Sequence, residues 1–541
     1  MTTAYDRRDF LKSLLAGASP LSLDWDSLPF NTAPHSDSYD AIIIGSGLGG
    51  LSCAAAFARQ GFKPLVLEQH SIPGGYATAF TRRGFKFDVS LHSTTFGYGD
   101  PNNKLIPGFP EVEGPEFLLH SSLFRVIFPE HDIIAPQQNV NGYIEILCKH
   151  FPEESEGIKS LFQAMGGLSQ EIQKLTQARG QFDRSKFPQE FPVLFANASK
   201  TWGQMADAYL KNPKLKGIVS AQWGYYGLPP SKLSSFYYAL PLYGYLQAGG
   251  RYPRGTSQAL SDAFVKFIQN RGGTVLCKKK VEKILLEQGT AVGVKTADGT
   301  EYQAKVVISN ACAPSTFRKM LNPSDVQESY WKQLDGYSVS FSSFQVFLGL
   351  KKDLMKEAGL KDSEIFLEET YDTEAAYQRY LDADVEKGGC GVTLYDNIYK
   401  GYSPEGKNTV NILALQGYDH WKQFEADYFK GNKTAYRKEK ERMAGILIKK
   451  VEQKLLPGLS KAIEVKEIGT PLTNIRYTGH YRGAIYGWNQ TVNNSGNTRV
   501  GHSTPIKNLY LAGAWSRPGH GYAAVVPSGL QCFGEIMQSW K

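Results

Sequence analysis

From Tyr39 the chain runs Tyr39-Asp40-Ala41-Ile42-Ile43-Ile44, apolar without alternation after its first two positions. A strand covered on both faces of a parallel sheet has this pattern, because neither side of its pleat meets water. The same reading predicts an alanine-rich helix over 51–60 and a second apolar strand at 64–67. A further helix is expected over 257–271, leading into strands near 274–275, 281–284, 291–294 and 306–308. Later a strand is expected over 343–350 and a basic helix over 436–456. An apolar run then meets a cluster of glycines after 511, and a last helix is expected from about 526.

Between the first strand and its helix lies Gly45-Ser46-Gly47-Leu48-Gly49-Gly50. Gly45, Gly47 and Gly50 hold the G-x-G-x-x-G spacing: one glycine for the tight turn, one for close backbone approach to a pyrophosphate, one for helix-on-strand packing. The free N–H groups of the helix start would hold the phosphates. Glu68 closes the second strand 23 residues after Gly45, followed by Gln69. An acid there can accept hydrogen bonds from an adenosine ribose. Strand, glycines, helix, strand and acid together predict a dinucleotide site, without separating NAD from FAD.

The next segment separates them. Ser71-Ile72-Pro73-Gly74-Gly75-Tyr76-Ala77-Thr78 sets a second glycine pair directly behind the ribose-binding strand, and 84–89 returns toward the same place. Two later blocks join it, Gly249 to Gly255 and the pair Gly513-Ala514 with Pro518-Gly519-His520-Gly521-Tyr522. With them the chain resembles the flavoprotein superfamily of carotenoid desaturases, carotenoid isomerases, retinol saturases and amine oxidases. The resemblance spans roughly 39–540 and is densest in these blocks. It implies an α/β fold with a two-dinucleotide-binding, Rossmann-like FAD domain assembled from 38–125, 249–316 and 470–541. An inserted α+β substrate domain would come from 126–248 and 317–469. For FAD it implies the stretch Gly45 to Gly50, then Glu68, Gln69, Gly74, Gly75, Tyr76, Ala77 and Thr78. It adds Val281, meeting adenine through its backbone, and Gly513, Ala514, Gly521 and Tyr522 at the flavin end. The sequence departs from the amine oxidase pattern at Tyr76, where an arginine commonly follows the glycine pair. At Ala514 many members carry an acid but carotenoid desaturases often do not, which favours the carotenoid-like branch.

The activity the resemblance implies is that of an FAD-dependent oxidoreductase acting on carbon–carbon bonds of a hydrophobic polyene or isoprenoid. A non-redox cis–trans isomerase that requires FAD is the first alternative. A flavin-less prenyl carrier, which shares the first glycine motif, is the second, and the intact Gly74-Gly75 pair and the 513–521 block argue against it. Histidine trades protons near neutral pH, so His520 is the first candidate for proton handling, with Tyr522 and His92 beside it; His480 and His502 also fall near these blocks. The aromatic clusters Trp223 to Tyr226, Phe236 to Tyr238 and Tyr243 to Tyr245 fit a core or a pocket wall. Their closeness to Gly249 favours a wall suited to a long hydrocarbon.

Composition narrows the partners. With 42% hydrophobic and 21% charged among 541 residues, the chain is an ordinary globular protein, long enough for two domains. The net charge of +8 is scattered, with Lys278 to Lys280 the longest lysine run, so no nucleic-acid partner is expected. The basic helix over 436–456 reads as a solvated face, with peripheral membrane contact as the sharper alternative. No redox partner leaves a motif. The six cysteines stand alone, so neither a metal site nor a disulfide framework is expected. Asp6-Arg7-Arg8-Asp9-Phe10-Leu11-Lys12 resembles a twin-arginine export signal. Residues 1–37 are therefore expected to be a leader or extension, and the protein to be exported by that route or to stay cytoplasmic at a membrane.

Overall fold

Ile42 stands opposite Leu65 on one side and Val307 on the other, and this register organises the first half of the molecule. In the computed structural model, which describes residues 39–177 and 183–540, the strand Tyr39–Ile44 lies between parallel neighbours Pro64–Leu67 and Glu301–Ser309. Thr274–Leu276 extends the sheet beyond Pro64–Leu67, and Leu509–Leu511 extends it beyond Glu301–Ser309, both in parallel. Strands from distant parts of the chain thus share one sheet, and their carboxyl ends meet at one edge, where α/β folds bind ligands. An antiparallel pair, Val281–Glu287 with Thr290–Thr296, is attached through Glu301–Ser309.

The helix Leu48–Arg59 starts three residues ahead of the apolar pattern, directly on the glycines. Its Cys53, Ala54, Ala55 and Ala56 are wholly buried, because small side chains let the last helix, Tyr522–Ser539, lie close against it. A Cβ on Gly529 would strike the Gly49 carbonyl oxygen and Ser52 Oγ. That last helix also starts early, four residues before 526: Gly521, at φ 88°, turns the chain, and its carbonyl accepts from the N–H groups of Ala524 and Val525.

The second sheet has seven strands in the order Ile463–Gly469, Ser342–Leu350, Asn408–Gln416, Cys390–Thr393, Glu364–Leu367, Phe124–Ile127 and Asp132–Ala135. Ser342–Leu350 is buried at every position, as a central strand with both faces covered must be. Helices between 140 and 248, including Ser235–Ala248, bury Tyr143, Trp202, Tyr238 and Leu246 in one core with Phe124 and Val126. Phe317, Val326, Tyr330 and Leu334 pack instead with Ile42 and Val307, so the chain up to Leu334 goes with the first sheet rather than the second. Among the described residues no helix is long and apolar enough to cross a membrane. The expected leader, 1–37, lies outside the described residues.

Candidate active site

Gly47 is the N-cap of Leu48–Arg59, with no side-chain cap and no acid in the helix's first turn. The positive end of the helix therefore carries free backbone donors. Gly47 forms a parallel bridge with Gly74, and a Cβ on Gly75 would sit 3.2 Å from the Gly47 Cα. The two glycine loops thus lie side by side. Glu68 ties them from behind: its Oε2 accepts from the Ser46 N–H (2.8 Å) and hydroxyl (2.7 Å), its Oε1 from the His70 N–H (2.8 Å), and Ser46 Oγ accepts from the Gly74 N–H (3.1 Å). Asn310, which the sequence did not flag, lies across Gly45, Gly47, Gly49 and Gly513.

These loops open on a cavity of about 1680 Å³. Its wall includes Gly45, Gly47, Leu48 and Gly49, then Glu68, Gln69 and the run Gly74 to Thr78, and, from elsewhere in the chain, Val281, Ala514, Gly521 and Tyr522. Ser46, Gly50 and Gly513 are not in the wall. A Cβ on Gly50 would strike the Gly45 carbonyl and one on Gly513 the Asn310 amide, so these glycines serve close chain packing. Gly521 caps a second helix that opens on the cavity, again without a side-chain cap or a first-turn acid. Buried Arg499 sets the adjoining turn by donating to the carbonyls of Ala514 (2.6 Å) and Ser516 (3.0 Å). Asp88 accepts from the Ser257 N–H and hydroxyl and from the Tyr252 hydroxyl. It thereby anchors the segment leading to His92 on a helix N-terminus.

Beyond the glycine loops the cavity is aromatic. Tyr237, Leu240, Pro241 and Tyr245 of Ser235–Ala248 face it, whereas Tyr238, Leu242 and Leu246 of the same helix are buried in the core. The helix thus divides by face between the wall and core roles that its sequence allows. Tyr225, Tyr226 and Tyr486 complete the wall.

One polar cluster interrupts this surface. Glu364, 2% exposed, lines the cavity; its Oε1 accepts from the Tyr225 hydroxyl (2.5 Å) and its Oε2 from the Thr393 hydroxyl (3.0 Å). His92 Nδ1 lies 2.5 Å from Thr393 Oγ1 and 3.7 Å from Glu364 Oε2. Burial pushes the Glu364 carboxyl up to about 8 and the His92 imidazole down to about 4. Both groups are therefore uncharged at neutral pH.

Of the sequence candidates, His520, Tyr522, His92 and His480 line the cavity. His520 stacks on Tyr486 at 4.3 Å, and its Nε2–H donates to the Tyr225 carbonyl (3.1 Å). Burial, reinforced by Arg499, lowers it to about 3, so it positions Tyr225 rather than carrying protons. His480 Nδ1 donates to the Ala484 carbonyl (2.8 Å). His502 is outside the wall, bonded to the Leu511 carbonyl (2.9 Å). Glu364, Tyr225 and Thr393 were not singled out by the sequence for this role. The one available signal was an acid, Glu364, set just ahead of the apolar run Ile365-Phe366-Leu367.

The family profile described as flavin containing amine oxidoreductase matches residues 48–532. The chain belongs to this family. It is an FAD-dependent oxidoreductase. Prolycopene isomerase 2, chloroplastic, from an Oncidium hybrid cultivar is 29% identical over 92% of this chain and 84% of its own length. All-trans-retinol 13,14-reductase from Danio rerio is 27% identical over 92% and 86%. An oxidoreductase from Methanosarcina mazei of known structure shares the fold, with a TM-score of 0.60 at 17% identity, covering 92% of this chain and 100% of that one. The family's cofactor meets a compatible wall here. Two uncapped helix N-termini and two close glycine loops suit a diphosphate, and a side chain at Gly47 would meet nothing nearer than the Asn310 amide at 2.8 Å. Buried Trp515 Nε1 and Gln345 Oε1, in wall residues, have no protein partner.

Proposed function

We propose that the protein acts on carbon–carbon double bonds of a hydrophobic polyene, of carotenoid or retinoid type. The observation that carries this reading is the aromatic chamber lined by Tyr225, Tyr226, Tyr237, Tyr245 and Tyr486, in which burial disfavours charge. Glu364, His92 and His520 are neutral at pH 7, and burial drives the phenols of Tyr225, Tyr226, Tyr237, Tyr245 and Tyr486 upward. An ammonium substrate would lose its hydration there and find only the single buried carboxyl of Glu364, whereas a neutral hydrocarbon loses nothing. The substrates named for the two enzyme relatives support the same class.

In this reading Gly47, Leu48, Gly49, Gly74 and Gly75 hold the FAD diphosphate, Glu68 the ribose, Val281 the adenine, and Ala514, Gly521 and Tyr522 the flavin end. FAD supplies hydride chemistry; the protein binds the polyene, excludes water and fixes its orientation. Non-redox isomerisation is the second reading, favoured by the isomerase relative. The outer wall carries Lys433, Arg437, Lys440 and Arg476 beside exposed Tyr477, with exposed Phe429 close along the chain. This supports peripheral contact with anionic lipid, through which a polyene could enter. Sedimentation with phosphatidylglycerol vesicles but not phosphatidylcholine vesicles is expected; equal binding to both would remove the electrostatic part.

The test is anaerobic addition of all-trans-retinol or lycopene to flavin-loaded protein, in oxidised and dithionite-reduced forms. A change in the flavin spectrum with a new product supports electron transfer, and a new isomer with an unchanged flavin supports isomerisation. If neither polyene is retained on gel filtration, the substrate class is wrong.

A further inference from the structure

Glu364 is a buried carboxyl in the aromatic part of the cavity wall, and its partners come from three separate parts of the chain. Tyr225 reaches it from the turn before the aromatic helix, Thr393 from the neighbouring strand, and His92 stands behind Thr393. The titratable groups around it are Tyr225, Tyr245, Tyr395 and His92; all are uncharged at neutral pH, and none is a cation that would hold the carboxylate. Among the described residues no lysine or arginine pairs with it, and its nearest basic group, His92, is 3.7 Å away and lowered by burial. Burying a carboxyl without a cation is costly, and unlike the anchoring Asp88 this one opens on the cavity.

We propose that Glu364 is the acid of this cavity, giving a proton to a polyene carbon and taking one back, with Tyr225 and the Thr393–His92 pair stabilising the carboxylate in between. The inference rests on the polyene reading above. The proton leaves the Glu364 carboxyl, and the π pair of one double bond forms the new C–H bond. The neighbouring carbon becomes a cation delocalised along the conjugated chain. Loss of a proton from an adjacent carbon to the Glu364 carboxylate restores a double bond, in the same or a shifted position or geometry. No electron is gained or lost. In the ionised state the Tyr225 hydroxyl donates to Oε1, the Thr393 hydroxyl to Oε2, and His92 Nδ1–H to Thr393 Oγ1. These are the donors a carboxylate needs in the absence of a cation. Burial holds the acid protonated to about pH 8, close enough to neutrality for efficient transfer in both directions.

The experiment incubates the FAD-loaded protein with lycopene in D₂O and reads deuterium in recovered lycopene by mass spectrometry. A second readout, independent of substrate, is the infrared carboxylic-acid band between pH 6 and 10. Wild-type protein is expected to incorporate deuterium and to show a carboxylic-acid band of which Glu364→Gln removes one component, that of Glu368 remaining. Deuterium uptake should fall about a hundredfold in Glu364→Gln and recover in part in Glu364→Asp, with flavin content unchanged in both. Undiminished uptake in Glu364→Gln, or a carboxylate at pH 7, would overturn the proposal. Lycopene retained on gel filtration but never deuterated would overturn it while leaving the substrate reading intact; lycopene not retained would overturn both.

Discussion

The Tyr225 hydroxyl donates to Glu364 Oε1 at 2.5 Å, while the Tyr225 carbonyl accepts from His520 Nε2 at 3.1 Å. One tyrosine thus links the glycine-rich turn around His520 to the buried acid of the cavity. Its hydroxyl favours the ionised form of Glu364, against a burial effect that is larger. Tyr225→Phe should raise the Glu364 midpoint above 8 by about one unit and cost about 1–2 kcal/mol of stability through an unpaired buried oxygen. Infrared titration and urea unfolding read the two effects separately. An unshifted midpoint would mean that the hydroxyl does not act on the carboxyl.

Two neighbouring glycines should fail in different ways. At Gly47 the nearest neighbour of a new side chain is the movable Asn310 amide, 2.8 Å away, whereas at Gly49 a Cβ would meet the Gly513 backbone at 2.6 and 2.8 Å. Gly47→Val should remain folded but retain no FAD. Gly49→Ala should lose about 1–3 kcal/mol of stability, because backbone cannot yield as a side chain can. Flavin absorbance per protein, set beside thermal unfolding, distinguishes the two; a Gly47→Val protein with full flavin would remove Gly47 from the diphosphate site.

The contrast between these glycines shows how far the sequence could be read. The first strand, its helix, the second strand and Glu68 are contiguous in the chain, so apolar runs and glycine spacing were enough to place them. The same spacing could not tell Gly47, which lines the cavity, from Gly50 and Gly513, which pack chain against chain, because that difference lies in what crosses them from residues 310 and 45. Glu364 was illegible for a related reason. Its partners at 92, 225 and 393 meet only when the second sheet forms and the aromatic helix closes over it. The histidines were readable as residues near the cofactor blocks, yet their bonding turned His520 into a support and took His502 out of the wall.

Glu68 preorganises the first glycine loop, and in the proposed FAD site it also accepts from the ribose. Three donors converge on its two oxygens, from Ser46 and His70. An amide in its place sets an N–H₂ group against at least one N–H donor. Glu68→Gln should therefore loosen the first glycine loop and weaken FAD about tenfold, or ~1.4 kcal/mol, as measured by flavin fluorescence on dilution. Unchanged affinity would show that neither the ribose nor the loop depends on the charge.

The buried acids and bases give the fold a pH dependence with a definite sign. Burial holds Glu364 and Glu368 protonated to about 8, against an ordinary value of 4.5, so their share of stability is complete below pH 4.5 and lost as pH rises through 8. His92 and His120, lowered to about 4, and His520, lowered to about 3, act in the opposite sense: their share is lost on acidification below 6.5. The two trends oppose each other between pH 4.5 and 6.5, and above 6.5 only the carboxyls still titrate. Stability measured by urea unfolding should therefore decline from pH 6.5 to 8. Glu364→Gln removes one of the two protons from that slope and should flatten it by up to ~1.4 kcal/mol per pH unit. A variant with the wild-type slope would show that Glu364 is ionised in the folded protein, and the acid of the cavity would have to be sought elsewhere.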